Sequence, residues 1–288
     1  MRKPLPKGLT GLALALLLSL PASALRKPGE EIRPGFNLFS KEQEVQLGQQ
    51  AAAEIRGKLQ VVDHPEVQNY IRRVGERLAS QRPARESGFP FSFTVVNDKS
   101  INAFALPGGP TFVHSGLLLA ADNEAQVAGV LAHEISHVIL RHGTNQASKA
   151  NLLQLPALLA GAATGSNLLA QLTQLGATGF LLKFSRSAES QADALGARIM
   201  AEAGYNPIEM ARFFEKLEAE GRSRAPEFLS DHPSPGNRVR AVEEEIRVLP
   251  QRPYTAGVGD FSRVKQLVSQ LPPARGRSVN ALRDGSNE

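Results

Sequence analysis

His133-Glu134-Ile135-Ser136-His137 lies inside the most strongly helical stretch of the chain, Asp122 to His142. Val127, Val130, Leu131, Ile135, Val138 and Ile139 recur there at helical spacing, which predicts a helix with one apolar stripe on the core. Asn123 followed three residues later by Gln126 gives a capping-box pattern, and Gly143 is placed to end the helix in a left-handed conformation. A spacing of four puts both imidazoles on one helical face, one turn apart, where two nitrogens reach a single metal. Glu134 projects beside them. It is badly placed as a ligand but well placed to accept a proton from an activated water.

The chain has no cysteine, so a metal must be held by histidine and carboxylate. Catalytic zinc takes three protein ligands and keeps one position open. No histidine follows at the spacing H-E-x-x-H-x-x-G-x-x-H. The third ligand is therefore sought elsewhere, and Glu189 in Ser185-Arg186-Ser187-Ala188-Glu189-Ser190-Gln191-Ala192-Asp193 is the best candidate. It falls in the first turn of a helix expected from about Ser187 to just before Gly204. Asp193, four residues on, shares its face and suits the free ring nitrogen of a ligand histidine. Taken alone, Glu189 reads as an acid complementing the helix dipole.

Outward from this centre, helices are expected at 41–56, capped by Ser40, and at about 64–80, 207–220 and 234–248. Phe91 to Val96 alternates as a strand, and Pro107-Gly108-Gly109-Pro110 marks a tight turn before a short strand at Thr111 to Val113. The fold class is thus α+β, mainly helical, with a small mixed sheet. Thr111 to Val113 is the expected edge for an extended substrate. Between Lys149 and Lys183 there is no charge. That stretch, 150–182, reads as two apolar helices covering the catalytic helix. A membrane-leaning lid or client surface is the alternative, since Pro156, Asn167, Gln171 and Gln174 cut it into pieces too short for a span.

Arg2, Lys3 and Lys7, an apolar run from Leu9 to Leu20 and Ala22-Ser23-Ala24 compose a secretory signal peptide over 1–24. No cysteine follows it, so a lipid-modified N-terminus is not expected. The formal charge is +5, but the leader carries three of those charges, which leaves 30 basic against 28 acidic residues. That balance does not point to nucleic acid. The expected division is a leader at 1–24, a catalytic domain at 25–250 and a partly disordered C-terminal extension at 251–288 in which Phe261 to Leu271 can dock.

The H-E-I-S-H motif, S-R-S-A-E-S-Q-A-D, the upstream N-A-F-A-L-P-G-G and Asp231-His232-Pro233-Ser234-Pro235-Gly236-Asn237-Arg238 together resemble the forty-eighth metallopeptidase family over roughly residues 37 to 248. The resemblance implies a zincin-like, gluzincin catalytic domain with one Zn2+ per chain, held by His133, His137 and Glu189, with Asp193 behind a ligand histidine. It also implies that His232 reaches the site, either steadying the oxyanion as a catalytic residue or capping the zinc in a latent state. By its local sequence alone, a histidine before proline in a polar loop is ordinarily just solvated. Tyr205 is the rival electrophile, His142 is expected to serve the helix C-terminus through its charge, and His64 and His114 are taken as structural. The chain departs from the family's prenyl-protease branch in lacking clear multiple spans, and from a periplasmic branch in lacking a helical-repeat domain. The implied function is a periplasmic or secreted metalloendopeptidase with Glu134 as general base. Its partners are protein or peptide substrates, with membrane-surface or outer-membrane-protein clients reached through 150–182. The alternative is a zinc-stabilised chaperone or assembly factor that cuts little.

Overall fold

The computed structural model describes residues 26–150, 183–220, 226–234 and 236–274. The expected leader at 1–24 and nearly all of the uncharged stretch fall outside them. Among the described residues no helix is long and apolar enough to cross a membrane.

The first layer is α1 (Lys41–Lys58), which starts with a reciprocal capping box between Ser40 and Gln43. The second is a sheet of β1 (Ser92–Val96), β2 (Ala103–Ala105) and β3 (Pro110–His114) in the order β1-β3-β2, with β1 parallel and β2 antiparallel to β3. The third holds α2 (Pro65–Ala79) and α5 (Glu124–Ile139), joined through α3 (Arg82–Ser87) and α4 (Ser115–Ala120). Strand periodicity sorts the side chains between these layers. Phe104 and Phe112 enter one core with Leu47 and Ile55 of α1, whereas Phe93, Val95, Ala103 and Val113 enter the other with α2 and α5.

Two glycines make the β2–β3 turn possible. Gly108 (φ 77) and Gly109 (φ 117) are left-handed, and a Cβ on Gly108 would lie 2.5 Å from the Val45 Cα, so the turn can press directly onto α1. β3 is therefore the central strand, and the expectation that 111–113 forms the edge is overturned. β1 and β2 are the edges: residues 60–62 bond to the outer side of β1, whereas β2 pairs as a strand with β3 alone among the described residues.

α5 departs from the expected single stripe. Every residue from Gln126 to Val138 is buried, because helices and the sheet surround it. Asn123 caps it by accepting from the Gln126 N–H, but the Gln126 side chain accepts from Asp122 rather than closing the box. At the other end Arg141 (φ 57), not Gly143, is the left-handed residue, held by Glu44 at 2.9 Å and by the Phe39 carbonyl.

Beyond the uncharged stretch come α6 (Arg186–Ala203), α7 (Ile208–Glu220), α8 (Glu227–Asp231), α9 (Arg238–Val248) and α10 (Phe261–Ser269). α9 starts at Arg238 rather than near 234, because left-handed Gly236 and Asn237 break the chain before it. The segment after α9 returns across the molecule. Ala256 N–H donates to the Gly204 carbonyl, Val258 N–H to Glu124, and Lys265 to the Ala121 carbonyl, while Val264, Leu267 and Val268 bury the inner face of α10.

β3 ends on His114, fully buried beside the turn at 97–102. Its Nδ1 lies 2.7 Å from Ser100 Oγ, which donates to Asp98 at 2.8 Å. Burial pushes this imidazole from its ordinary 6.5 down to about 4, against the pull of Asp98 and Asp231. The unfolded chain then binds the proton first. Stability present above pH 6.5 is lost as the pH falls toward 4, on the order of 3 kcal/mol. The urea midpoint of wild type is expected to drop between about pH 7 and about pH 5, and His114→Gln to flatten that drop. Equal drops in the two proteins would remove His114 as the cause.

Candidate active site

The site forms where α5 meets the first two turns of α6. α6 is started by Ser185, whose side chain accepts from the Ala188 N–H, and ended by left-handed Gly204. Glu189 and Asp193 stand one turn apart on the face toward α5. Gly196, three residues on, lets the helices close: a Cβ there would sit 3.3 Å from the Ala132 carbonyl carbon and the His133 nitrogen.

Four side chains that the sequence marked converge. Single ligand atoms of His133, His137, Glu189 and His232 all lie within 4.8 Å of one another, and all four residues are buried. His133 Nε2 is 3.0 Å from His137 Nε2, 3.2 Å from Glu189 Oε2 and 3.2 Å from His232 Nδ1. Glu189 Oε1 is 3.4 Å from His137 Nε2 and 3.1 Å from His232 Nδ1. Donors roughly 2.0–2.1 Å from a tetrahedral zinc stand about 3.3 Å apart, so the donor spacings suit that ion.

The proton positions suit it too. His133 Nδ1 donates to Asp193 Oδ1 at 2.9 Å, which turns the Nε2 lone pair inward. His142 Nε2 donates to Gln191 Oε1 at 3.1 Å, so its Nδ1 accepts from His137 Nδ1 at 2.9 Å and the His137 Nε2 lone pair also points inward. His142 thus departs from the expected charged role at the helix end. Burial lowers it to about 4, and it backs His137 as a neutral ring. Burial also pulls His133 down, but Glu189 and Asp193 outweigh it and raise the imidazole to about 9, so a metal ion at Nε2 would take the place of a proton there. Burial opposes the Glu189 carboxylate, yet His232 and His133 hold it well below the usual range.

Glu134 stands at the rim of this cluster. The Ala105 N–H of edge strand β2 donates to its Oε2 at 3.0 Å. Its Oε1 is buried without a hydrogen-bond partner and lies 3.4 Å from His232 Nε2. Burial raises its pKa above the ordinary carboxylate value. A small, solvent-open recess of about 20 Å³ adjoins His137, lined by Leu106, Pro107, Val138 and Phe184 and by Glu44 and Arg141.

Tyr205 is not part of the site. Its hydroxyl is buried and donates to Glu124 at 2.6 Å, beside Tyr70, which donates to the other oxygen of the same carboxylate. The reading of Tyr205 as electrophile is withdrawn on that geometry. The sequence reading also passed over Arg238, which is buried with Nε 2.5 Å from Asp193 Oδ2 and Nη2 3.1 Å from Glu189 Oε2. A signal existed: a basic residue opening a helix sits against the dipole and needs a reason.

Two imidazoles from one helix, a carboxylate from a second and a buried acid beside them define a zincin-like metallopeptidase site. The family model of Peptidase family M48 matches residues 65–246, and the chain belongs to that family. It is 36% identical to the beta-barrel assembly-enhancing protease of Escherichia coli (strain K12) over 259 residues, covering 85% of this chain and 50% of that protein. It is 33% identical over 218 residues to the mitochondrial metalloendopeptidase OMA1 of Schizosaccharomyces pombe, covering 74% of this chain and 64% of the relative. Metalloprotease LoiP of Escherichia coli (strain K12) is 29% identical over 232 residues, covering 79% and 90%. The chain spans about half the length of the assembly-enhancing proteases it matches.

Proposed function

We propose that this protein is a zinc-dependent metalloendopeptidase of the bacterial envelope, exported by its leader to the periplasm and acting on proteins there. The observation that carries the reading is the convergence of His133, His137 and Glu189 beside a buried oxygen of Glu134 that has no hydrogen-bond partner. Zinc held by those three residues supplies a Lewis acid that makes water nucleophilic and polarises the peptide carbonyl. Glu134 takes the proton as water attacks, and delivers it to the leaving amine. Ala105 N–H fixes the carboxylate for that transfer through Oε2, leaving Oε1 free. An extended substrate lies along the outer edge of β2, beside the Ala105 N–H that donates to Glu134. The names of the assembly-enhancing relatives favour β-barrel outer-membrane proteins as the client class.

His232 stands as near the other ligand atoms as they stand to one another, at 3.1 and 3.2 Å, and so occupies the fourth corner in this conformation. That placement favours a resting state over an oxyanion role. His232→Ala is expected to keep zinc and to raise cleavage several-fold; retained zinc with reduced cleavage would instead assign His232 to the oxyanion. The reading as a whole is tested by chelation and reconstitution. Purified protein is expected to cleave an unfolded protein substrate, lose that activity on chelation and regain it with one equivalent of zinc per chain. Cleavage indifferent to chelator at matched metal depletion would overturn it.

A further inference from the structure

We propose that Arg238 is a positioning residue of the metal centre, a guanidinium clamp that holds Glu189 and Asp193 in register with the two histidines of α5. This rests on the zinc reading above.

Arg238 is the first residue of α9, where a cation opposes the helix dipole. Two consecutive left-handed residues, Gly236 (φ 73) and Asn237 (φ 46), turn the chain so that its side chain runs inward. It is only 3% exposed. Burying a guanidinium costs several kcal/mol unless charge and geometry compensate it. Both carboxylates it bonds belong to the site. Nε donates to Asp193 Oδ2, Nη2 donates to Glu189 Oε2, and the plane lies over the Phe214 ring with 4.2 Å to the centroid. Nη1 is buried with no partner, so the arginine is not placed to maximise its own hydrogen bonds.

The consequence lies in which oxygens remain. Asp193 gives Oδ2 to Arg238 and Oδ1 to His133, so its carboxylate is fixed at both ends. Glu189 Oε2 accepts from Arg238 at 3.1 Å and also lies 3.2 Å from His133 Nε2, while Oε1 faces His137 and His232. Arg238 thus fixes the orientation of the Glu189 carboxylate against the histidines and, through Asp193, indirectly aims His133. Charge agrees: Glu134, Glu189 and Asp193 carry three negative charges, which Arg238 and a dication neutralise together. Lysine keeps the charge but lacks the planar fork that spans two carboxylates.

The test uses the full chain in wild-type, Arg238→Lys and Arg198→Lys forms, each checked for folding by circular dichroism. Arg198 is a control because it clamps Glu245, away from the centre. Zinc dissociation constants come from chelator competition, and the cobalt(II) form gives the d–d absorption that reports coordination number. Arg238→Lys is expected to weaken zinc by about 10- to 100-fold and to change the cobalt bands as the Glu189 carboxylate loses its fixed orientation; Arg198→Lys is expected to change neither. Wild-type affinity and spectrum in folded Arg238→Lys would overturn the inference. If that variant does not fold, Asp193→Asn and Asp193→Asn/Arg238→Gln provide the same comparison without a lone buried charge, and identical affinity and spectra in those two would overturn it. Wild-type protein that binds neither metal would overturn the zinc reading itself, separately from any variant.

Discussion

Glu134→Gln is expected to bind zinc like wild type and to cleave unfolded protein at least 10²- to 10⁴-fold more slowly. The amide oxygen replaces Oε2 and still accepts the Ala105 N–H, so side-chain placement survives. At the Oε1 position an NH₂ group replaces a proton acceptor, 3.4 Å from His232 Nε2. The ligand set is untouched, which separates this variant from His133→Ala, where both metal and hydrolysis are expected to be lost. Turnover with chelator-titrated zinc content decides it, and near wild-type turnover at equal zinc would sink the mechanism. The same variant separates the two functional classes the sequence raised. Full complementation of a deletion strain by Glu134→Gln would favour a chaperone over a peptidase.

The second large effect concerns stability. Glu124, the first residue of α5, accepts hydrogen bonds from Tyr70, Tyr205 and the Val258 N–H. Burial, reinforced by the hydrogen bond to Glu124, raises both tyrosines well above their ordinary value, so both stay donors. Glu124→Ala strands two buried hydroxyls and one N–H. The expected loss is about 3–5 kcal/mol, a fall in Tm of roughly 10 °C, with zinc affinity unchanged in the protein that remains folded. Glu124→Gln, which keeps an acceptor, is expected to lose less. Chemical denaturation measures both, and a loss under about 1 kcal/mol in Glu124→Ala would show that the carboxylate is not the junction it resembles.

What was legible in the sequence is what local spacing encodes. His133 and His137, Glu189 and Asp193 each lie four apart on one helix, so their shared faces follow from helical geometry before any contact is known. Ser40, Asn123, Ser185 and Gly204 act at helix ends as their types require. Two misses are local, the start of α9 after left-handed Gly236 and Asn237 and the Gln126 side chain that turns to Asp122; the others are partners distant in the chain. Strand order depends on what packs at each edge, and Thr111 to Val113 is as good an edge as Ala103 to Ala105 until β1 is placed beside it. His142 is neutral only because α6 brings Gln191 to its ring. Tyr205 and Arg238 are polar side chains whose partners lie 81 and 45 residues away. Arg141 took the left-handed position in place of Gly143 because Glu44 of α1 restrains its side chain.

His232 and Arg238 stand six residues apart, one at the fourth corner of the proposed metal centre and the other bonded to Asp193 and Glu189 beside it. Six residues reach no more than about 20 Å when fully extended. Whatever draws His232 from its place works against a tether anchored in the centre itself. The imidazole can swing aside but cannot stray, and return is a search over a small volume rather than a refolding.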